Sequence, residues 1–271
     1  MSTAPLQIRS RDNPALVLVR RALRNPGAYR RDSVPLWLQG DHLLRGVALQ
    51  QVLLTEAAWD RPELRELALA ARRVLVLPQA LFNELSTLES PASIGALAAR
   101  PALAALRGDV PTVLLDRLQD AGNVGSILRS AAALGVVQVV ALEGCAALWS
   151  PKVLRAGMGA HFALQLHEQA VLADLEVLRM PWLATSSHAP DLLHRCRLPH
   201  PCAWVFGHEG QGVSALLRAR CAATLRIAQP GGEESLNVAA AAAICLHESV
   251  RQRDRVEAAA SDPAATAQRD Q

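Results

Sequence analysis

PTVLLDRLQDAGNVGSILRSAAALGVVQVVAL, residues 111–142, is the stretch on which the fold turns. The apolar run Thr112–Leu115 is too short for a helix and ends on polar residues, so it reads as a strand. Gly122, Asn123 and Gly125 punctuate the way into a helix over Val124–Leu134, with Asn123 as the expected N-cap because its side chain can accept from free helix-start amides. A second apolar run, Val137–Leu142, reads as another strand. Strands separated by a helical crossover lie parallel in one sheet.

The same rhythm continues downstream: a helix near Lys152–Ala156, strands Trp182–Thr185 and Ala203–Phe206, a helix from Ser214, a strand Thr224–Ile227, and a closing helix from Asn237 to about Gln252. Upstream, strands at Val34–Leu38, Val52–Leu54 and Val74–Leu77 alternate with helices at Asp41–Ala48 and Pro62–Ala71. The Ala-, Pro- and Gly-rich run Ala92–Gly108 reads as the boundary between two domains. The expected organisation is a small α/β domain over 1–105, a parallel α/β domain over 106–253 and an unordered tail over 254–271. From Glu257 onward the Ala, Ser, Asp, Pro and Gln residues lack the apolar content to offset the entropy of ordering.

Composition agrees with α/β. The chain has 271 residues, 51% hydrophobic but only 3% aromatic, so its core is built from Leu, Val and Ala. The five cysteines are odd in number and show no CxxC spacing, which disfavours a disulfide framework or a structural zinc site and suits a reducing cytoplasm. The apolar runs fall short of the roughly 18 residues of a membrane span, so no membrane is expected. His161, His167, His188, His194, His200 and His247 lie scattered without HExxH or clustered carboxylates, so metal-independent chemistry is expected. Net charge is only +3, but residues 1–31 hold seven arginines, Arg9, Arg11, Arg20, Arg21, Arg24, Arg30 and Arg31, against Asp12 alone. Such a block can contact phosphates; it can equally be a solvated arm.

Three segments lie where a strand gives way to a loop, which is where open parallel sheets place ligands. The first is Leu115–Ala131, with Gly122, Asn123, Gly125 and, six positions after Asn123, Arg129. The second is Trp204–Ser214, in which Gly207, Gly210 and Gly212 surround the single carboxylate of Glu209; a glycine loop can wrap a ligand with its amides while Glu209 accepts a hydrogen bond. The third is Leu225–Ile244, where a Pro230-Gly231-Gly232 turn leads to Ser235 and Asn237 at the start of an alanine-rich helix that either residue could cap. Each alone has a purely structural reading. The glycine spacing is not GxGxxG, which makes a dinucleotide oxidoreductase a poor reading.

Together, these segments resemble the SpoU family within the SPOUT methyltransferase superfamily: Asn-x-Gly-x-x-x-Arg from Asn123, Gly-x-Glu-Gly-x-Gly from Gly207 and Ser-Leu-Asn-Val from Ser235, in the family's order, with Ser150–Ala160 similar to its connecting segment. The resemblance runs from about Val110 to Arg251. It implies a C-terminal trefoil knot, a homodimer, and S-adenosylmethionine-dependent methylation of a ribose 2′-hydroxyl in RNA. It further implies that Thr185, Ser186, Gly207, Glu209, Gly210, Ile227, Ser235, Leu236 and Asn237 surround the cofactor, and that Asn123, Arg129, Glu209, Ser235 and Asn237 act at the reacting ribose. A guanidinium stays protonated at ordinary pH, so Arg129 suits a phosphate or oxyanion anchor better than a base. His208 departs from the family, where Asn or another small polar residue is common.

Residues 1–105 resemble, more weakly, the small RNA-binding domain in front of many SpoU domains. The features are Ser10–Pro14, Leu38–Leu44 and Leu81–Gly95. This favours ribosomal RNA, with transfer RNA the second substrate class. A non-catalytic RNA-binding or ribosome-assembly factor of the same fold is the competing reading, disfavoured by the intact polar set. Trp37 and Trp59 could stack on bases, though lone tryptophans are more often core.

Overall fold

The computed structural model describes residues 5–31, 34–86, 92–231 and 235–261. They form two compact units, one of Met1–Ala102 with Ala147–Phe162, the other of Leu103–Ala146 with Ala163–Gln271.

In the first unit, β1 (Leu6–Gln7), α1 (Pro14–Arg24), β2 (Leu36–Gln39), α2 (Asp41–Leu44), β3 (Leu49–Thr55), α3 (Glu56–Trp59), α4 (Pro62–Leu69), β4 (Arg73–Leu77), α5 (Gln79–Asn83) and β5 (Ile94–Ala98) follow one another. The sheet order is β1-β4-β3-β5-β2, with β5 antiparallel to both its neighbours. The expected linker Ala92–Gly108 therefore contains an inner strand. All five residues of β5 are buried, and their small side chains suit that position: a Cβ on Gly95 would sit 2.3 Å from the Trp37 ring. Trp37 itself is core, its indole N–H donating to the Leu85 carbonyl, whereas half-buried Trp59 lies under the Arg65 guanidinium.

The basic stretch is not an arm along its length. Asn13 caps α1, with Pro14 as its first residue, and Ala15, Leu16, Val19 and Ala22 point into the core. Arg11 and Arg20 pair with Glu84, while Arg9, Arg21, Arg24, Arg30 and Arg31 are exposed.

The second unit carries β6 (Thr112–Asp116), α6 (Ala121–Ala133) and β7 (Gln138–Leu142). The chain then returns to the first unit as α7 (Pro151–Gly157), capped by Ser150 and packed on β2, with the Trp149 amide donating to the Tyr29 hydroxyl. The stretch 147–162 thus leaves the contiguous 106–253 block expected from sequence. In the second unit β8 (Gln165–Ala170), β9 (Trp182–Thr185), β10 (Asp191–Leu192), β11 (Ala203–Gly207), α8 (Ala215–Arg218), β12 (Ala223–Arg226) and α9 (Val238–Ser261) complete the order. The last helix runs past the expected end near Gln252, so the stretch from Glu257 is helical as far as Ser261; residues 262–271 lie outside the described ones.

The seven-stranded sheet has the order β10-β12-β9-β11-β6-β7-β8, and all its pairings are parallel. Strands β6, β7 and β11 are buried at every position, as a sheet covered on both faces requires. The chain steps outward from β6 to β8 and returns on the other side of β6, so the loops after β6 and β11 diverge at a topological switch point. Register puts Gly207 beside Asp116 and Thr185 beside Leu225, at one edge of the sheet. Among the described residues no helix is long and apolar enough to cross a membrane.

Candidate active site

Helix α6 opens one turn earlier than expected. Asp120 is its cap, accepting from the Asn123 amide at 2.7 Å, so Asn123 is in the first turn with its carboxamide free for other partners. Two Asx residues compete for the cap here, and the one outside the helix wins because only it has the extended backbone a cap needs.

The β11 loop is held by fixed chemistry at both ends. A Cβ on Gly207 would lie 2.1 Å from the Gly212 carbonyl carbon and 2.2 Å from the Val213 nitrogen, so only glycine fits. His208 accepts through its Nδ1 from the amides of Gly210 at 3.0 Å and Gln211 at 3.3 Å and so tightens the turn. Its carbonyl accepts from Gly212, which sits at φ +66°. Substituting His208 by Asn keeps an acceptor near both amides and should leave affinity for a bound ligand within about twofold. His208→Ala removes two neutral hydrogen bonds, about 1–2 kcal/mol, and should weaken it roughly five- to thirtyfold by calorimetry. Asp116, 3% exposed, accepts from the Ser214 amide at 2.6 Å and from the Arg117 Nε at 3.0 Å, while Arg117 also donates to Gln211 at 3.1 Å. Asp116 and Arg117 went unread in the sequence; the signal was a carboxylate closing an apolar strand.

The third segment completes the assembly. Asn237 accepts from the amides of Ala239 at 2.9 Å and Ala240 at 3.2 Å, so it, rather than Ser235, caps α9. Its Nδ2 donates to Asn123 Oδ1 at 2.8 Å, and Asn123 Nδ2 donates to Glu209 Oε1 at 3.3 Å, which also accepts from the Asp120 amide at 3.2 Å. Glu209, Asn123 and Asn237, one from each segment, therefore form a single hydrogen-bonded chain. Partial desolvation pushes the Glu209 carboxyl up, but its own amide, the Asn123 side chain and the Asp120 and Gln119 amides outweigh this and hold it below the ordinary 4.5. The sign is that of a depressed carboxylate: its contribution is complete above pH 4.5 and is lost as pH falls through the lowered value. Ligand affinity should decline only on that acid side, and Glu209→Gln should remove that decline.

Beside this chain lies a cavity of about 580 Å³ lined by residues of the β9, β11, β12 and α9 loops. All nine residues that the resemblance places around a cofactor line it: Thr185, Ser186, Gly207, Glu209, Gly210, Ile227, Ser235, Leu236 and Asn237. Asn123 reaches its edge through Glu209 and Asn237. Arg129 does not join them. It lies on the exposed stripe of α6 with Gly122, Ser126 and Ala133, about 9 Å along the helix from Asn123, and its guanidinium has no hydrogen bond or ion pair among the described residues. The Ser235 hydroxyl is likewise without a partner among them. Arg218 and Gln229 line the cavity and were not foreseen. Among the described residues no three or more of His, Cys, Asp and Glu are placed to hold a metal ion.

A parallel α/β unit with three strand-end loops gathered on one ligand cavity is the form of a nucleotide-type cofactor enzyme domain. The family model described as the SpoU rRNA methylase family matches residues 111–247, and the chain belongs to that family. A 23S rRNA (guanosine-2′-O-)-methyltransferase of Bordetella pertussis is 35% identical over 152 residues, which cover 55% of this chain and 62% of that relative. The chain thus spans about three fifths of that relative's length. A solved RNA 2′-O ribose methyltransferase is 30% identical, with TM-score 0.76, covering 92% of this chain and 99% of its own. The SpoU methyltransferase AviRb of Streptomyces viridochromogenes, solved with AdoMet, is 26% identical, with TM-score 0.79, covering 89% and 98%.

Proposed function

We propose that this chain methylates a ribose 2′-hydroxyl in RNA with S-adenosylmethionine as donor, ribosomal RNA being the favoured substrate and transfer RNA the second. The observation that carries this is the Glu209–Asn123–Asn237 chain at the rim of a cavity lined by all nine expected cofactor residues.

The residues present fit the donor. The cavity volume lies within the range of small-molecule sites, and Gly207 leaves room for backbone to approach a ligand. When bound, S-adenosylmethionine supplies an electrophilic methyl group. The protein's task is then alignment of the hydroxyl oxygen with that methyl, since positioning alone can supply several kcal/mol of the barrier. Glu209, ionised at neutral pH and held by the Asn123 side chain and the Asp120 amide, can accept a hydrogen bond from the hydroxyl; its depressed pKa makes it a weak base, so orientation is its main part. Ser235 adds a hydroxyl at the cavity wall that has no partner among the described residues. Arg129, on the exposed stripe of α6, suits a phosphate of the RNA. Arg129→Ala should lower turnover at least about a hundredfold if it anchors the reacting nucleotide, and near-normal turnover would remove it from the site. The exposed arginines of the first unit, Arg9, Arg21, Arg24, Arg30 and Arg31 among them, give that unit the charge to hold RNA.

The knot implied for the region after β9 is supported by the strand order, in which the late strand β12 enters between β9 and β10. Homodimerisation is supported by the apolar surface of Ile227, Ala228, Ala243 and Ile244, the last 41% exposed. Light scattering at micromolar concentration should give the dimer mass; a monomer mass would contradict it. The function is tested by mapping 2′-O-methylation across ribosomal and transfer RNA in cells with and without the gene. Loss of methylation at a defined nucleotide is expected, and an unchanged map would overturn the proposal.

A further inference from the structure

We propose that Arg117 is a positioning residue for the methyl donor: it braces Gln211 of the β11 loop so that the carboxamide N–H groups face the cavity. Affinity for the methyl donor then depends on a side chain outside the cavity wall; the inference rests on the methyl-donor reading above. Gln211 lines the cavity and Arg117 does not. Arg117 has φ +57°, a left-handed backbone that disfavours any residue with a side chain. Such strain persists only where surrounding contacts fix it, and it gathers at functional sites.

Several contacts fix Arg117. The left-handed turn breaks the alternation of β6, so the Asp116 and Arg117 side chains meet instead of pointing to opposite faces, with Nε donating to Asp116 Oδ1 at 3.0 Å. The arginine stem lies against Gly144, where a Cβ would come within 3.3 Å of Cγ. The next residue, Leu118, accepts on its carbonyl from the Ala146 amide at 2.8 Å. The guanidinium is thereby aimed at the β11 loop, where Nη1 donates to Gln211 Oε1 at 3.1 Å. Arginine only donates, so this bond decides how the carboxamide is turned: Oε1 faces Arg117 and Nε2 is left for the cavity. The Gln211 main-chain amide is held separately by His208 Nδ1 at 3.3 Å. Main chain and side chain are thus both fixed before a ligand arrives, which spares the ordering cost on binding. An N–H in that place suits an acceptor oxygen of the methyl donor. Glu209 has its own ties to Asn123 and the Asp120 amide, so the brace bears on affinity for the methyl donor more than on alignment of the ribose. Substituting Asp116 would not separate these roles, because its other oxygen holds the Ser214 amide at 2.6 Å.

The test is calorimetric binding of S-adenosylhomocysteine to the full chain as wild type, Arg117→Met, Gln211→Leu and the double variant. Each single substitution should weaken binding about five- to tenfold, the loss of one charge-assisted hydrogen bond in a partly open site. In the Gln211→Leu background Arg117→Met should add less than about twofold, because Arg117 acts through Gln211. Steady-state kinetics should place the larger part of the loss in the KM for S-adenosylmethionine and the smaller in kcat. Gln211→Glu keeps a partner for Arg117 but offers the cavity only acceptors, so it should bind no better than Gln211→Leu. Arg117→Gly keeps the test decisive if Arg117→Met does not fold, since glycine takes the left-handed backbone without strain. It should unfold at no lower temperature than Arg117→Met and still bind as weakly, whereas a merely structural arginine would move stability and affinity together. Unchanged affinity in the Arg117 variants, an equal loss with and without Gln211, or wild-type affinity in Gln211→Glu overturns the assignment while leaving the methyl-donor reading intact. Should wild type fail to bind at millimolar concentration, the methyl-donor reading fails and this inference with it.

Discussion

Asn123→Asp should reduce turnover by two to three orders of magnitude while leaving the protein folded. The change is isosteric, so packing is preserved, but it turns the amide that donates to Glu209 at 3.3 Å into a second carboxylate. Two charges at that distance repel by about 1 kcal/mol in the water limit and by about 5 kcal/mol at an effective dielectric of 20. The site is mostly open, so the cost lies toward the lower figure. The loss of alignment adds to it, because a misplacement of about 1 Å can cost a hundredfold in rate. Asn237 would keep its cap on α9, since its Oδ1 bonds do not involve position 123, so circular dichroism should be unchanged. Steady-state kinetics on RNA substrate would measure the effect; a loss under tenfold would show that the hydrogen-bonded chain does not set the alignment.

Gly207→Ala should weaken donor binding about ten- to hundredfold. The added methyl meets backbone atoms of Gly212 and Val213, which have no side-chain torsion to relieve the overlap. Overpacking of this kind costs about 1–3 kcal/mol, and each 1.4 kcal/mol is tenfold in affinity. Register ties Gly207 to Asp116 on the neighbouring strand, so the strain falls on the loop beyond it rather than on the sheet. Calorimetry with S-adenosylhomocysteine is the readout, with thermal unfolding as the control for global damage.

Much of this site was legible in the sequence because chemistry and topology coincide there. Parallel strands were readable from short apolar runs separated by helices, and parallel strands bring their C-terminal ends to one edge; polar residues placed just after those runs therefore had to lie near one another. The loops opening near Asn123, Gly207 and Ser235 do so. The misread elements are those whose composition runs against their setting. Strand β5 is Ile-Gly-Ala-Leu-Ala between prolines, and its small residues signal a linker until the Trp37 ring is seen lying across Gly95. Helix α1 was hidden by its own arginines, although Ala15, Leu16, Val19 and Ala22 keep helical spacing. Edge strand β8, Gln-Leu-His-Glu-Gln-Ala, carries only two apolar residues and pairs on one side alone, so neither composition nor alternation marks it as a strand. The membership of 147–162 in the first unit rests on packing of α7 on β2, which no local pattern encodes. Arg129 shows the limit of spacing as a guide: six residues along a helix turn a side chain about 240° round the axis, away from the neighbour it was grouped with.

The most direct test of the account is transfer of a labelled methyl group from S-adenosylmethionine to ribosomal RNA by the purified chain, followed by complete alkaline hydrolysis. A 2′-O-methyl group blocks cleavage of the adjacent phosphodiester, which needs the free 2′-hydroxyl as nucleophile. The label is therefore expected in an alkali-resistant dinucleotide. Label recovered only in mononucleotides would place the methyl on a base, and no incorporation into either ribosomal or transfer RNA would contradict the assignment of the cavity to methyl transfer.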